Sequence, residues 1–196
     1  MIEKTGGHAN ALIILHEIYG ANRFIEDLCT EYHLQGFDIF CPEMLGRNSF
    51  PYAGSAEAYD YFSKNVGFDY DKEIKQLIEK LKLLYDKVFI MGFSVGATIA
   101  WKCCEDTVCD GIICFYGSRI RDYLLLQPCC PVLLLFAAQD SFDVDSVINK
   151  LQGKSNVDIQ KLRASHGFMD PYSNHFVQTQ AQMSKNHISD FIGSLA

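Results

Sequence analysis

Five short apolar runs, each closed by glycine, proline or charge, limit what this chain can fold into. They are ALIILH at 11–16, FDIFCP at 37–42, KVFIMG at 87–92, GIICFYG at 111–117 and PVLLLFAAQD at 131–140. Their length and their lack of polar alternation suit strands covered on both faces, as in a parallel sheet. Between them the apolar spacing changes to three and four residues. In 22–36, Phe24, Ile25, Leu28 and Leu34 fall on one side and Gly36 closes the segment, which reads as a helix with a glycine stop. In 69–86, Ile74, Leu77, Ile78, Leu81 and Leu84 recur with Lys and Glu opposite, the clearest amphipathic helix in the chain. Further helices are expected over 95–105, 143–152 and 175–192, with a weaker strand, NVDIQKL, at 156–162. Strand alternating with helix predicts an α/β fold, a mainly parallel sheet with helices on both faces. The 196 residues fit one such domain over 1–196. The segment 43–68 is the long irregular stretch.

The charge balance narrows the function classes. With 17 basic against 24 acidic residues, the net charge of −7 repels nucleic acid and anionic membranes, and no basic stripe offsets it. The first apolar run is too short for a membrane span or a secretory signal, so the expected compartment is the cytoplasm. Eight cysteines raise the question of metal or disulfides, but no C-x-x-C occurs and two pairs are immediate neighbours. Most sit within apolar runs, where cysteine behaves as a small buried hydrophobe.

Chemistry in a parallel sheet gathers at the carboxyl ends of its strands. GFSVG, residues 92–96, stands where the run 87–92 passes into the expected helix from 95. A five-residue G-x-S-x-G match is weak alone, but strand before and helix after are the setting of a nucleophile elbow. A serine hydroxyl needs a base within hydrogen-bond reach and an acid to orient that base. Asp140 ends the run 131–140, and His166 follows the strand at 156–162, in RASHGFMD. Both belong at the same edge as Ser94. Asp143 and Asp145 are alternative acids, readable also as helix N-terminal charge. His8, His16, His33, His175 and His187 are worse placed: His8 in the N-terminal tail, His33 and His187 inside helical patterns, His175 well past the strand end. An oxyanion would be met by the amide of Val95 and by one from HEIYGAN after the first run, taken as that of Ile18. Glu17 in that loop then stands close to Ser94, or else serves as a helix-terminal acid or a partner of Arg23.

HEIYGAN, GFDIFCPEMLGR, GFSVG, FYG, AAQD and SHGF, in this order over residues 11–193, resemble the dienelactone hydrolase family of α/β-hydrolases. The resemblance implies Ser94, Asp140 and His166 as a triad, Ile18 and Val95 as the oxyanion hole, and Glu17 as an acid contacting the nucleophile. The short stretch before the first matching strand departs from the family pattern and gives an expected reduced sheet of about six strands. Two further features depart from the family pattern. Its best-known members use cysteine where this chain has Ser94. They also hold a substrate carboxylate with arginines, and here there is no Arg from Asn48 to Asp71 while His166 is followed by Gly167, Phe168, Met169 and Asp170. Phe50, Tyr52, Tyr59, Tyr61, Phe62, Phe68 and Tyr70 could line an apolar pocket under a lid, or simply pack a long loop. The expected activity is therefore hydrolysis of small or medium neutral carboxylic esters without metal or organic cofactor. Thioester hydrolysis or acyl transfer uses the same triad, and a ligand-binding protein that has lost catalysis is the non-enzyme alternative.

Overall fold

A computed structural model describes residues 1–105 and 108–195. The strands are β1 (Ile2–Lys4), β2 (Asn10–Leu15), β3 (Phe37–Cys41), β4 (Lys87–Phe93), β5 (Gly111–Phe115), β6 (Val132–Gln139) and β7 (Val157–Ser165). The helices are α1 (Arg23–Leu34), α2 (Ser55–Asn65), α3 (Asp71–Leu81), α4 (Val95–Lys102), α5 (Val144–Leu151) and α6 (Gln178–Ser194). The strands form one sheet in the order β1-β3-β2-β4-β5-β6-β7. β1 runs antiparallel to β3, and every other neighbouring pair is parallel.

The continuous apolar runs are explained by burial on both faces. Ala11 to Leu15 of β2 are all fully buried. Ile13 and Leu15 pack with α3 and α4 residues such as Ile78 and Ile99. Leu12 and Ile14 pack on the other face with Phe24 and Leu28 of α1 and Ile188 of α6. The chain enters α1 through Asn22, whose side chain accepts from the Ile25 amide at 3.2 Å. It enters α5 through Asp143, which accepts from the Ser146 amide at 3.0 Å.

The structure departs from the sequence expectations in several places, beyond small shifts at the ends of α4, β7 and α6. The sheet has seven strands, not about six: the three residues of β1 suffice for an antiparallel edge pairing of Ile2 with Cys41. The segment 43–68 is not irregular, for it contains α2, flanked by 3-10 turns at Tyr52–Gly54 and Phe68–Tyr70. The helix expected over 69–86 stops at Leu81, and Leu84 stands 76% exposed. Its terminal turn instead brings the Tyr85 hydroxyl to Asp38 at 3.0 Å. Leu34, expected on the buried side of α1, is 81% exposed because it lies at the helix end beyond the core face. The thiol reading agrees with the structure: seven cysteines are buried and only Cys129 is exposed.

Candidate active site

The register of the parallel strands brings the chain ends after β2, β4, β6 and β7 to one edge. Leu15 pairs with Gly92, Phe93 with Phe115, and Phe115 with Leu135. Ser94 follows β4 directly, with φ 53° and ψ −111°, a conformation that non-glycine residues rarely adopt. Its amide donates to the Phe115 carbonyl at 2.9 Å, anchoring the turn on β5. The flanking glycines serve close approach. A Cβ on Gly92 would lie 2.3 Å from the Gly96 carbonyl oxygen, and one on Gly96 would lie 2.4 Å from that of Leu15. Gly96 thus packs α4 against the end of β2.

His166 stands just beyond β7, its amide donating to the Gln139 carbonyl at 3.1 Å. Its Nδ1 is 2.7 Å from Asp140 Oδ2 and its Nε2 is 2.9 Å from Ser94 Oγ. A carboxylate oxygen only accepts, so Nδ1 carries the proton and Nε2 presents its lone pair to the serine hydroxyl. The other Asp140 oxygen accepts from the Ser141 amide at 2.6 Å and the Ser141 hydroxyl at 3.1 Å. Burial raises the Asp140 pKa, but the His166 hydrogen bond and charge, with the Ser141 donors, bring it below the ordinary value. Burial lowers the His166 pKa, and the Asp140 hydrogen bond and charge, reinforced by Glu17, bring it above the ordinary value. The alternative acids are committed elsewhere: Asp143 caps α5, and Asp145 pairs with Lys161 at 2.5 Å.

Glu17 and Ile18, after β2, line the same cleft of about 490 Å³ as Ser94, Asp140 and His166. Val95 opens α4, where first-turn amides lack helical acceptors. Glu17 is 6% exposed, and its Oε1 has no hydrogen-bond partner among the described residues. Burial raises its pKa, opposed by the His166 charge and the nearby Tyr116 hydroxyl, and the net shift is upward. Arg23 is not its partner; that guanidinium lies over the Tyr172 ring, 4.9 Å from its centroid. Neighbouring His16 is fully buried and steadies the loop, its Nδ1 2.7 Å from the Glu17 carbonyl and its Nε2 accepting from the Met44 amide at 3.0 Å.

Two features of the cleft have little or no motif in the sequence. Tyr116, buried with φ 38°, sets its ring 4.8 Å from that of His166; the FYG match was its only signal. Tyr52 donates a short hydrogen bond to Asp170 Oδ2, while Asp170 Oδ1 accepts from the Tyr172 amide at 2.8 Å. Burial and the facing carboxylate raise the Tyr52 pKa, so the phenol remains the donor. Of the aromatic residues expected to line a pocket, Tyr52 does so, whereas Phe50 and Phe62 are buried in the core and Phe68 packs against it. The charged side chains of the cleft are the acids Glu17, Asp140 and Asp170, and no Lys or Arg lines it among the described residues.

A parallel sheet whose strand-to-helix turn after β4 projects a serine toward a histidine following the last strand is the architecture of an α/β-hydrolase. The chain belongs to the dienelactone hydrolase family, whose model matches residues 1–195. It is 38% identical over 169 residues to the uncharacterised protein YczH of Bacillus subtilis, covering 84% of this chain and 83% of that protein. Among solved structures, a candidate dienelactone hydrolase of Klebsiella pneumoniae superposes with a TM-score of 0.79 at 16% identity, covering 97% of this chain and 88% of the other. A dienelactone hydrolase-like promiscuous phosphotriesterase from metagenomic libraries superposes with a TM-score of 0.76 at 17% identity, with the same coverage of 97% and 88%. These two likenesses concern the fold.

Proposed function

We propose that the protein is a serine carboxylester hydrolase acting through Ser94, His166 and Asp140. The observation that carries this reading is the unbroken relay from carboxylate to imidazole to serine hydroxyl, at 2.7 and 2.9 Å. Ser94 Oγ attacks the ester carbonyl carbon while His166 Nε2 takes its proton. The amides of Ile18 and Val95 meet the developing oxyanion. The tetrahedral intermediate collapses, the alcohol leaves with the proton from His166, and the acyl group stays on Ser94. Water, deprotonated by the same imidazole, then releases the acid and restores the serine. Asp140 holds the imidazole in its Nδ1–H form throughout. Glu17 lines the same cleft as Ser94, and burial raises its pKa above the ordinary carboxylate value.

The three acids lining the cleft, with no Lys or Arg beside them among the described residues, favour a small or medium neutral ester over one bearing a carboxylate. Ser94→Ala should abolish p-nitrophenyl acetate turnover while leaving the circular dichroism spectrum unchanged. Turnover by that variant at the wild-type rate would refute the assignment.

A further inference from the structure

At the opposite edge of the sheet, three side chains with no part in the proposed reaction converge. His8 lies in the loop between β1 and β2, His33 in the last turn of α1, and Asp38 is the second residue of β3. One potential ligand atom from each lies within 4.8 Å of the others. Asp38 is 2% exposed. Its Oδ1 accepts from the Gly6 amide at 2.7 Å and the His8 amide at 3.4 Å, and its Oδ2 from the Tyr85 hydroxyl at 3.0 Å. All three donors are neutral, so they fix the carboxylate without cancelling its charge, and Oδ2 keeps a lone pair.

The imidazoles are also prepared. His33 Nδ1 lies 2.9 Å from the Phe37 carbonyl oxygen. A carbonyl only accepts, so Nδ1 carries the proton and the neutral ring offers Nε2 as a ligand. This is the arrangement by which a backbone carbonyl fixes the tautomer of a metal-bound histidine. The two rings meet edge to face with centroids 5.2 Å apart. The backbone leaves room for them: a Cβ on Gly6 would lie 3.0 Å from His8 Nε2 and 3.1 Å from His33 Cε1.

The geometry points to a divalent metal site of the zinc type held by His8, His33 and Asp38, with solvent completing the coordination. Two imidazoles and one carboxylate suit zinc and its first-row neighbours, whereas calcium and magnesium take oxygen donors. Bonds of about 2.0–2.2 Å require the ligand atoms to draw together by on the order of 1 Å. His8 can supply that movement: it is only partly buried and follows Gly6 and Gly7, the latter at φ 76°. The ion would neutralise Asp38 and tie the loop before β2 to α1 and β3. It lies at the far end of β2 from Ser94, so its effect is on stability.

The test is titration of the chelator-stripped full chain with cobalt(II) and zinc(II) near neutral pH. One equivalent of cobalt should bind with visible bands of a nitrogen and oxygen site and without a near-ultraviolet thiolate band. Zinc should displace it and raise the melting temperature. The His8→Ala/His33→Ala double variant, its fold checked by far-ultraviolet circular dichroism, should bind at least a hundredfold more weakly and lose the thermal shift. A thiolate band, no saturation below millimolar metal, or equal binding by the double variant would overturn the proposal. None of these readouts depends on ester hydrolysis.

Discussion

Ser94 holds a positive-φ backbone conformation that costs of order 1–3 kcal/mol, sustained by the Phe115 carbonyl and the tight packing of Gly92 and Gly96. The strain places its hydroxyl where a histidine from 72 residues further along the chain can accept its proton. His166 must be neutral to do so, and its pKa is raised by Asp140 and Glu17 against the effect of burial. A raised pKa keeps the imidazole protonated to higher pH, so kcat/KM should rise with pH through a midpoint above the ordinary histidine value of about 6.5. A profile with its acid limb at or below that value would show that Asp140 and Glu17 do not act on the imidazole as described.

At the scale of elements, the junction of β2, β4 and α4 positions Ser94, and Gly96 is where α4 approaches β2. Gly96→Ala forces a methyl to 2.4 Å from the Leu15 carbonyl oxygen. The strands must shift, at a cost of about 1–3 kcal/mol, and the melting temperature should fall by roughly 2–4 °C per kcal/mol. An unchanged melting temperature would mean that the junction is looser than described. The strands, the turn at Ser94 and the placement of Asp140 and His166 were legible in the sequence because burial on both faces writes an unbroken apolar run, and the candidate site lies at the ends of such runs. Other elements left weaker marks. β1 is three residues on one edge, α2 buries only Ala58 and Phe62, and the end of α3 is set by Tyr85 reaching Asp38, a partner 47 residues away. Tyr52 meets Asp170 across 118 residues, which no local pattern can announce.

For the molecule as a whole, the net charge of −7 and the acidic cleft act in the same direction. On the proposed reading, an ester carrying a carboxylate would be repelled on approach and again beside Asp170. A neutral p-nitrophenyl ester should therefore exceed its carboxylate-bearing counterpart in kcat/KM by at least tenfold, on the order of 1.4 kcal/mol in the transition state. Asp170→Asn should narrow that gap chiefly through KM. Equal turnover of the two esters by the wild-type protein would remove the cleft's charge from the account. No described helix is long and apolar enough to cross a membrane.

The central claim, that Ser94 is a nucleophile activated by His166, is tested most directly by reaction with a fluorophosphonate followed by peptide mass mapping. One phosphonyl group per chain is expected, on Ser94, with loss of ester turnover in proportion to labelling. Labelling confined to another residue, or full turnover after Ser94 is modified, would contradict it.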